Sequence, residues 1–246
     1  MDKTHVLELR LGDKVIPVKI YIERRQNTRA SLGSKYVNLR IPKGILFKPD
    51  VQKHLDWLEN WLKELESRKP FILHKYIPSK KYADKDVLVL MGQSYQLDII
   101  IIDREDARVS IKGTTIFLEL PNKIGYDTQA VIRHLLIKIS QKHFKAELTR
   151  RVKMINDRYF GKEINSVRLK YNKSNWGSCS SGKNLNFSVR LLLAPLEVID
   201  YVIVHELSHL IEMNHSKKFW EIVQKIKPDY TVSEDFLRKN NHILDF

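Results

Sequence analysis

The segment VIDYVIVHELSHLIEMNH, Val198 to His215, constrains this chain more than any other stretch. It opens with an almost continuous apolar run and then places three histidines and two glutamates within eleven residues. The apolar run predicts a helix buried nearly all round. His205 and His209 are four apart, so a helix sets both rings on one face, one turn apart. Glu206 is the only carboxylate between Asp200 and Glu212. A lone carboxylate in such surroundings is costly unless it is paired, hydrogen-bonded or beside a metal. The pattern His-Glu-x-x-His does this for zinc, with the glutamate as general base.

Two histidines do not complete a catalytic zinc site, which takes three protein ligands and keeps one open position. His215 is the obvious third, and Glu212 is its rival. In a continued helix the six residues from His209 to His215 turn the chain by about 600°, so His215 would face nearly away. The helix is therefore expected to end between Leu210 and Asn214, with Asn214 suited to a left-handed turn. Ser216 then caps a new helix, Lys217–Ile226, with Phe219, Val223 and Ile226 on its apolar face. A neutral set of histidines leaves zinc its full charge, which brings the pKa of bound water down to roughly 7. Glu206 then serves as proton carrier. The expected reaction is addition of water to a carbonyl, most simply a peptide bond.

The rest of the chain reads as strands and helices. Residues 4–43 read as strands, notably Val15–Ile22 and Tyr36–Ile41. Lys48–Arg68 reads as a helix carrying Leu55, Leu58, Leu62 and Leu65. Gly92–Gly125 repeats the layout of Gly12–Ile45: an apolar strand, a charged turn and an alternating strand closed by proline, then a helix, here about Asp127–Arg158. This predicts a duplicated β-meander-plus-helix unit. Beyond it, Val167–Asn172 and Leu185–Leu193 read as two strands of a hairpin around a polar Gly/Ser turn. Pro195, Glu197 and Asp200 suit the start of the helix that runs into His205. SEDFLRKNN (Ser233–Asn241) reads as a short closing helix with half a capping box at Ser233. The expected fold class is α+β, divided into a β-rich N-terminal region with one helix (1–125) and a hydrolase domain (126–246).

At this point the sequence resembles a known family. WGSCSSGKNLNFSVRLLLAPLEVIDYVIVHELSHLIEMNHSKKFWEIV is similar to the YgjP-like metallopeptidases, relatives of the SprT-like and WLM-domain zinc peptidases. The resemblance is carried by the turn Trp176-Gly177-Ser178-Cys179, by Asp200-Tyr201-Val202, by His205 to His209, and by Asn214-His215-Ser216 before Phe219-Trp220. It is specific over about residues 168–223 and weaker over the N-terminal half. It implies a zincin-like C-terminal half, zinc on His205, His209 and His215, and a catalytic Glu206. The position before Trp176 is often arginine in the family and is Asn175 here, which leaves the role of that turn open.

Cys179 reads as structural, and it excludes an internal disulfide or multi-cysteine zinc site. Trp176 is expected to pack under the active-site helix. The strand Leu185–Val189 offers an edge to which an extended peptide can add. His134 and His143 share a helix face but stand roughly 13 Å apart, too far for one ion. The net charge is +14, with 23 basic and 16 acidic residues in 1–125 and 20 and 13 in 126–246. An even spread favours a basic solvated surface over a dedicated nucleic-acid groove, although a nucleic-acid partner is compatible with it. The N-terminal sequence shows no secretory h-region and no run spans a membrane, so the expected location is the cytoplasm and the expected partner a protein or peptide substrate. The alternatives are a zinc-dependent phosphoester or nucleotide hydrolase, weakened by the lack of a P-loop, a nucleic-acid-associated protein with a protease domain, and a zinc site kept for structure. Substrate-binding residues are not legible.

Overall fold

The structure, a computed structural model, describes residues 4–12, 14–43, 50–69, 72–73, 76, 80–123, 127–241 and 243–246. The fold is α+β and forms two compact units, Met1–Pro78 and Ser79–Phe246. The expected division at residues 125 and 126 lies outside the described residues, within the sequence span of the second unit. No helix among the described residues is long and apolar enough to cross a membrane.

The first unit is a four-stranded sheet with one helix. Strands β1 (Thr4–Leu11) and β2 (Lys14–Glu23) form a hairpin, with Gly12 supplying the positive φ its turn requires. Strands β3 (Arg29–Leu32) and β4 (Val37–Pro42) complete the order β1-β2-β4-β3, and β2 and β4 run parallel. Alternate residues Ile16, Val18 and Ile20 and their neighbours Val37, Leu39 and Ile41 are buried with Leu58 and Leu62 of helix α1 (Val51–Arg68). Asp50 caps α1 by accepting from the Lys53 amide. The expected start at Lys48 lies outside the described residues.

The second unit opens with the same topology. Strands β5 (Val87–Leu90), β6 (Gln93–Ile102), β7 (Arg108–Lys112) and β8 (Thr115–Pro121) take the order β5-β6-β8-β7, again with one parallel pair, β6 and β8. Helix α2 (Thr128–Tyr159) follows, capped by Asp127 through the Ala130 amide. The duplicated layout is present, but neither copy is a meander. In each, the fourth strand inserts between the second and third. The burial patterns explain this. β4 and β8 each bury one complete face and need neighbours on both sides, whereas β3 and β7 hold no fully buried residue and suit an edge. β5, which the sequence pattern does not separate, is the counterpart of β1.

The rest of the second unit holds strands β9 (Ser166–Lys170), β10 (Gly177–Cys179) and β11 (Asn184–Ser188), a 3-10 segment (Val189–Leu193), and helices α3 (Leu196–Ser208), α4 (Lys217–Ile226) and α5 (Tyr230–Asn240). The hairpin is β10 with β11, while β9 pairs with β11 in parallel. The expected hairpin between β9 and β11 is thus corrected. The strand expected to reach Leu193 stops at Ser188, because Val189 to Leu192 are all buried and a strand with one exposed face cannot hold four such residues in a row. The closing helix begins at Tyr230, and Ser233 is buried inside it rather than capping it.

Arg190 secures this region. Its guanidinium is buried, donates to the carbonyls of Leu244 (2.8 Å), Lys173 (3.0 Å) and Asn241 (2.6 Å), and lies 4.6 Å from the Trp176 ring centroid. Replacing it with methionine leaves three carbonyls without their donor. Arg190→Met is expected to destabilise the fold by about 3 kcal/mol, read as a lowered thermal midpoint. An unchanged midpoint would show that solvent replaces these bonds at no cost.

Candidate metal centre

Helix α3 brings the ionisable cluster to the end of a buried element. Val198, Ile199, Tyr201, Val202, Ile203, Val204 and Leu207 are all buried, and Glu206 is buried among them. Arg151 of α2 binds Asp200 with both ends of its guanidinium, Nη2 lying 2.8 Å from Oδ2, and so ties α2 to α3. The helix ends at Ser208 with His209 as its C-cap, slightly earlier than expected. The chain goes on through turn bonds from the Leu210 and Ile211 amides to Leu207 and Ser208. Asn214 does not take the expected left-handed conformation, which among the described non-glycine residues is confined to Lys85, Met91 and Lys183. Ser216 caps α4 as expected, accepting from the Phe219 amide.

The elbow returns His215 to the helix. The Nε2 atoms of His205 and His215 are 3.0 Å apart. One ligand atom from each of His205, His209 and His215 lies within 4.8 Å of the others. Three nitrogens about 2 Å from one tetrahedral ion stand roughly 3.4 Å apart, so small ring rotations close this trio on a metal. His209 Nδ1 faces the backbone oxygen of Glu212 at 3.2 Å, which leaves Nε2 for the shared point. Glu212 thus meets the cluster through its backbone, and its carboxylate is not among the grouped ligand atoms. Burial, and then the neighbouring histidines, push His205 down to about 3, and burial lowers His209 as well. Imidazoles kept neutral have free lone pairs, as metal ligation requires.

Phe219 forms the floor of this arrangement. It is fully buried, with its ring centroid 4.9 Å from His205, 4.5 Å from His209 and 4.8 Å from His215. Trp220 stacks beside His215 at 5.8 Å and on Tyr230 at 5.2 Å. Helical spacing places Phe219 on an apolar face, but nothing local indicates that all three histidines rest on it.

Glu206 lies beside the cluster. Burial pushes its carboxyl up to about 8, and its Oε2 is buried without a hydrogen-bond partner among the described residues. Strand β10 passes directly over it. A Cβ at Gly177 would lie 2.5 Å from Glu206 Oε1 and 2.7 Å from its Cγ. Only glycine allows so close an approach. This gives the Trp-Gly-Ser-Cys turn a role that the sequence leaves open. Trp176 packs against the core and over Arg190. Cys179 is a free thiol pushed up to about 11 by burial and by the Glu206 charge, so it stays protonated, in line with its structural reading. β11 is paired on both sides, so the edge expected on Leu185–Val189 is not free. The unpaired strand edge of this sheet next to Glu206 is that of β10. His134 and His143 are exposed on α2, outside the cluster.

The model of the YgjP-like metallopeptidase domain matches residues 35–240. The chain belongs to the YgjP-like family. Two solved structures show similarity over 37% of the chain at 24% identity. One is the metallopeptidase zymogen of Pyrococcus abyssi abylysin, 90% covered, with a TM-score of 0.34. The other is the metallopeptidase zymogen of Methanocaldococcus jannaschii jannalysin, 92% covered, with a TM-score of 0.33. No curated protein matches the chain. Membership of the YgjP-like family and the three-histidine cluster together point to a metal-dependent hydrolase.

Proposed function

We propose that the chain is a zinc-dependent metallopeptidase. In this reading residues 126–246 form a zincin-like catalytic domain, His205, His209 and His215 hold the zinc, and Glu206 is the general base. The observation that carries it is the convergence of three imidazole ligand atoms beside a buried carboxylate with one oxygen unengaged. The donor set fits zinc, which favours neutral imidazole nitrogen at tetrahedral spacing. Bound there, zinc supplies Lewis acidity, lowering the pKa of water towards about 7 and polarising a carbonyl oxygen.

The protein supplies the remaining parts. Phe219 fixes the planes of the three rings, and the Glu212 carbonyl fixes the tautomer of His209. Glu206, as the carboxylate that a bound cation would favour, accepts a proton from the attacking water and returns it to the leaving nitrogen. Gly177 gives that carboxylate its space. The outer edge of β10 is available for an extended peptide to add as a further strand beside Glu206. A free, unpaired Cys179 accords with a reducing, cytoplasmic setting.

Glu206→Gln tests the reading. With zinc content unchanged, cleavage of casein is expected to fall by about a hundredfold to ten-thousandfold. A panel of nucleoside triphosphates run alongside should show no turnover. Undiminished cleavage would remove Glu206 from the mechanism, and turnover of nucleotides in place of casein would replace the peptidase by a phosphoester hydrolase.

A further inference from the structure

The positive charge is concentrated on one element. Helix α2 carries eight basic and two acidic residues in its 32, which is +6 of the chain's +14. Lys138, Lys142, Lys145, Arg150 and Lys153 recur at spacings of three to five and are all exposed. At about 100° per residue Lys138, Lys142, Lys145 and Lys153 fall within about 80° of one another and share one face, with Arg150 at its margin. Ala146 and Thr149 fill the gaps between them, and with Lys142, Lys145, Arg150 and Lys153 they form an open surface along the helix. The second long helix thus departs from the even spread of charge along the sequence.

Among the described residues none of these five cations forms an ion pair, although Arg151, one position round the same helix, is paired with Asp200. Like charges three and four apart repel and destabilise a helix. Glu147 of the same helix neighbours Arg150, three residues on, but lies half a turn away from Lys138 and outside the row of four lysines. A row of cations with no acid on its face is the electrostatic footprint of a polyanion.

We propose that this face of α2, from Lys138 to Lys153, docks the sugar-phosphate backbone of a nucleic-acid duplex. The row is roughly 22 Å long, and a duplex presents one phosphate charge per roughly 1.7 Å of its axis, so several cations can engage at once. The composition of the face selects this partner over other anions. Its exposed apolar neighbour is Met154, beyond Arg150, and one thioether does not make the apolar face an interfacial helix needs. It also carries no aromatic ring on which unpaired bases could stack. Binding through the backbone alone is indifferent to base sequence.

The test is fluorescence anisotropy with a labelled random-sequence duplex, titrated with the full chain over a range of salt. The comparison is between wild type, Lys142→Glu/Lys145→Glu/Lys153→Glu, and a control with the same charge change at exposed positions elsewhere, Lys35→Glu/Lys53→Glu/Lys81→Glu. All six positions are on the surface, and circular dichroism confirms folding. The α2 variant is expected to lose at least about tenfold in affinity, and its log K against log salt should flatten by about 0.9 for each phosphate that is no longer neutralised. The control should stay within about twofold of wild type. Equal losses in both variants would reduce the effect to net charge and overturn the assignment to α2. Absence of duplex binding, or tighter binding to phosphatidylserine vesicles than to duplex, would overturn the proposal.

Discussion

Gly177→Ala is expected to cut hydrolysis by about a hundredfold or more while the protein keeps its zinc. The added methyl would overlap Oε1, Cγ and Cδ of Glu206, at 2.5, 2.7 and 2.8 Å. Glu206 has little freedom to move aside, being buried among the apolar residues of α3. Either the carboxylate swings from its place beside the histidines, or β10 withdraws and takes its free edge with it. Both spoil catalysis, and neither touches a ligand. Zinc content and thermal midpoint separate this from unfolding. A variant that retains zinc, melts within a few degrees of wild type and loses activity fits the arrangement. Full activity would show that the Glu206 position seen beneath Gly177 is not the one used in the reaction.

The second large effect is expected from the histidines. Wild type should bind one zinc per chain, and His205→Ala, His209→Ala and His215→Ala should each lose it, as measured by elemental analysis after dialysis. The same experiment reads stability. A metal held by the native state alone adds about 4 kcal/mol at a thousandfold excess over its dissociation constant. Zinc should therefore raise the wild-type melting temperature and leave the three variants where they are. Retention of zinc by His215→Ala alone would pass the third position to another group, the Glu212 carboxylate first. Absence of zinc from the wild type after supplementation would end the hydrolase reading. Phe219 makes the three substitutions comparable, since each removes a ring resting on the same buried floor.

The local arguments from sequence carried far. The i, i+4 spacing set His205 and His209 on one face, and the angle between His209 and His215 required a helix end and an elbow between them. The elbow is there, with Ser216 capping Lys217–Ile226 at the anticipated residues. The helix expected at about Asp127–Arg158 is α2, within a residue at each end. The repeated strand-and-helix layout was also legible, because each copy carries its own turn glycine and closing proline.

What stayed hidden is non-local. Alternation tells a strand which face to bury and leaves its neighbours and their direction unnamed, so β2 and β4, like β6 and β8, pair in parallel where a meander would make them antiparallel, and the hairpin expected of β9 belongs to β10. Gly-Ser-Cys has no hydrophobic period, and β10 exists because β11 offers it an edge. Arg190 interrupts an apolar run, and nothing near it in sequence indicates the three distant carbonyls that converge on it. The sequence by itself determined which side chains can hold a metal and on what element they ride, because helical geometry relates residues a few positions apart. Only the tertiary structure decided what lies over and under them, Gly177 above Glu206 and Phe219 beneath the histidines, because those neighbours come from segments whose separation along the chain carries no periodic signal.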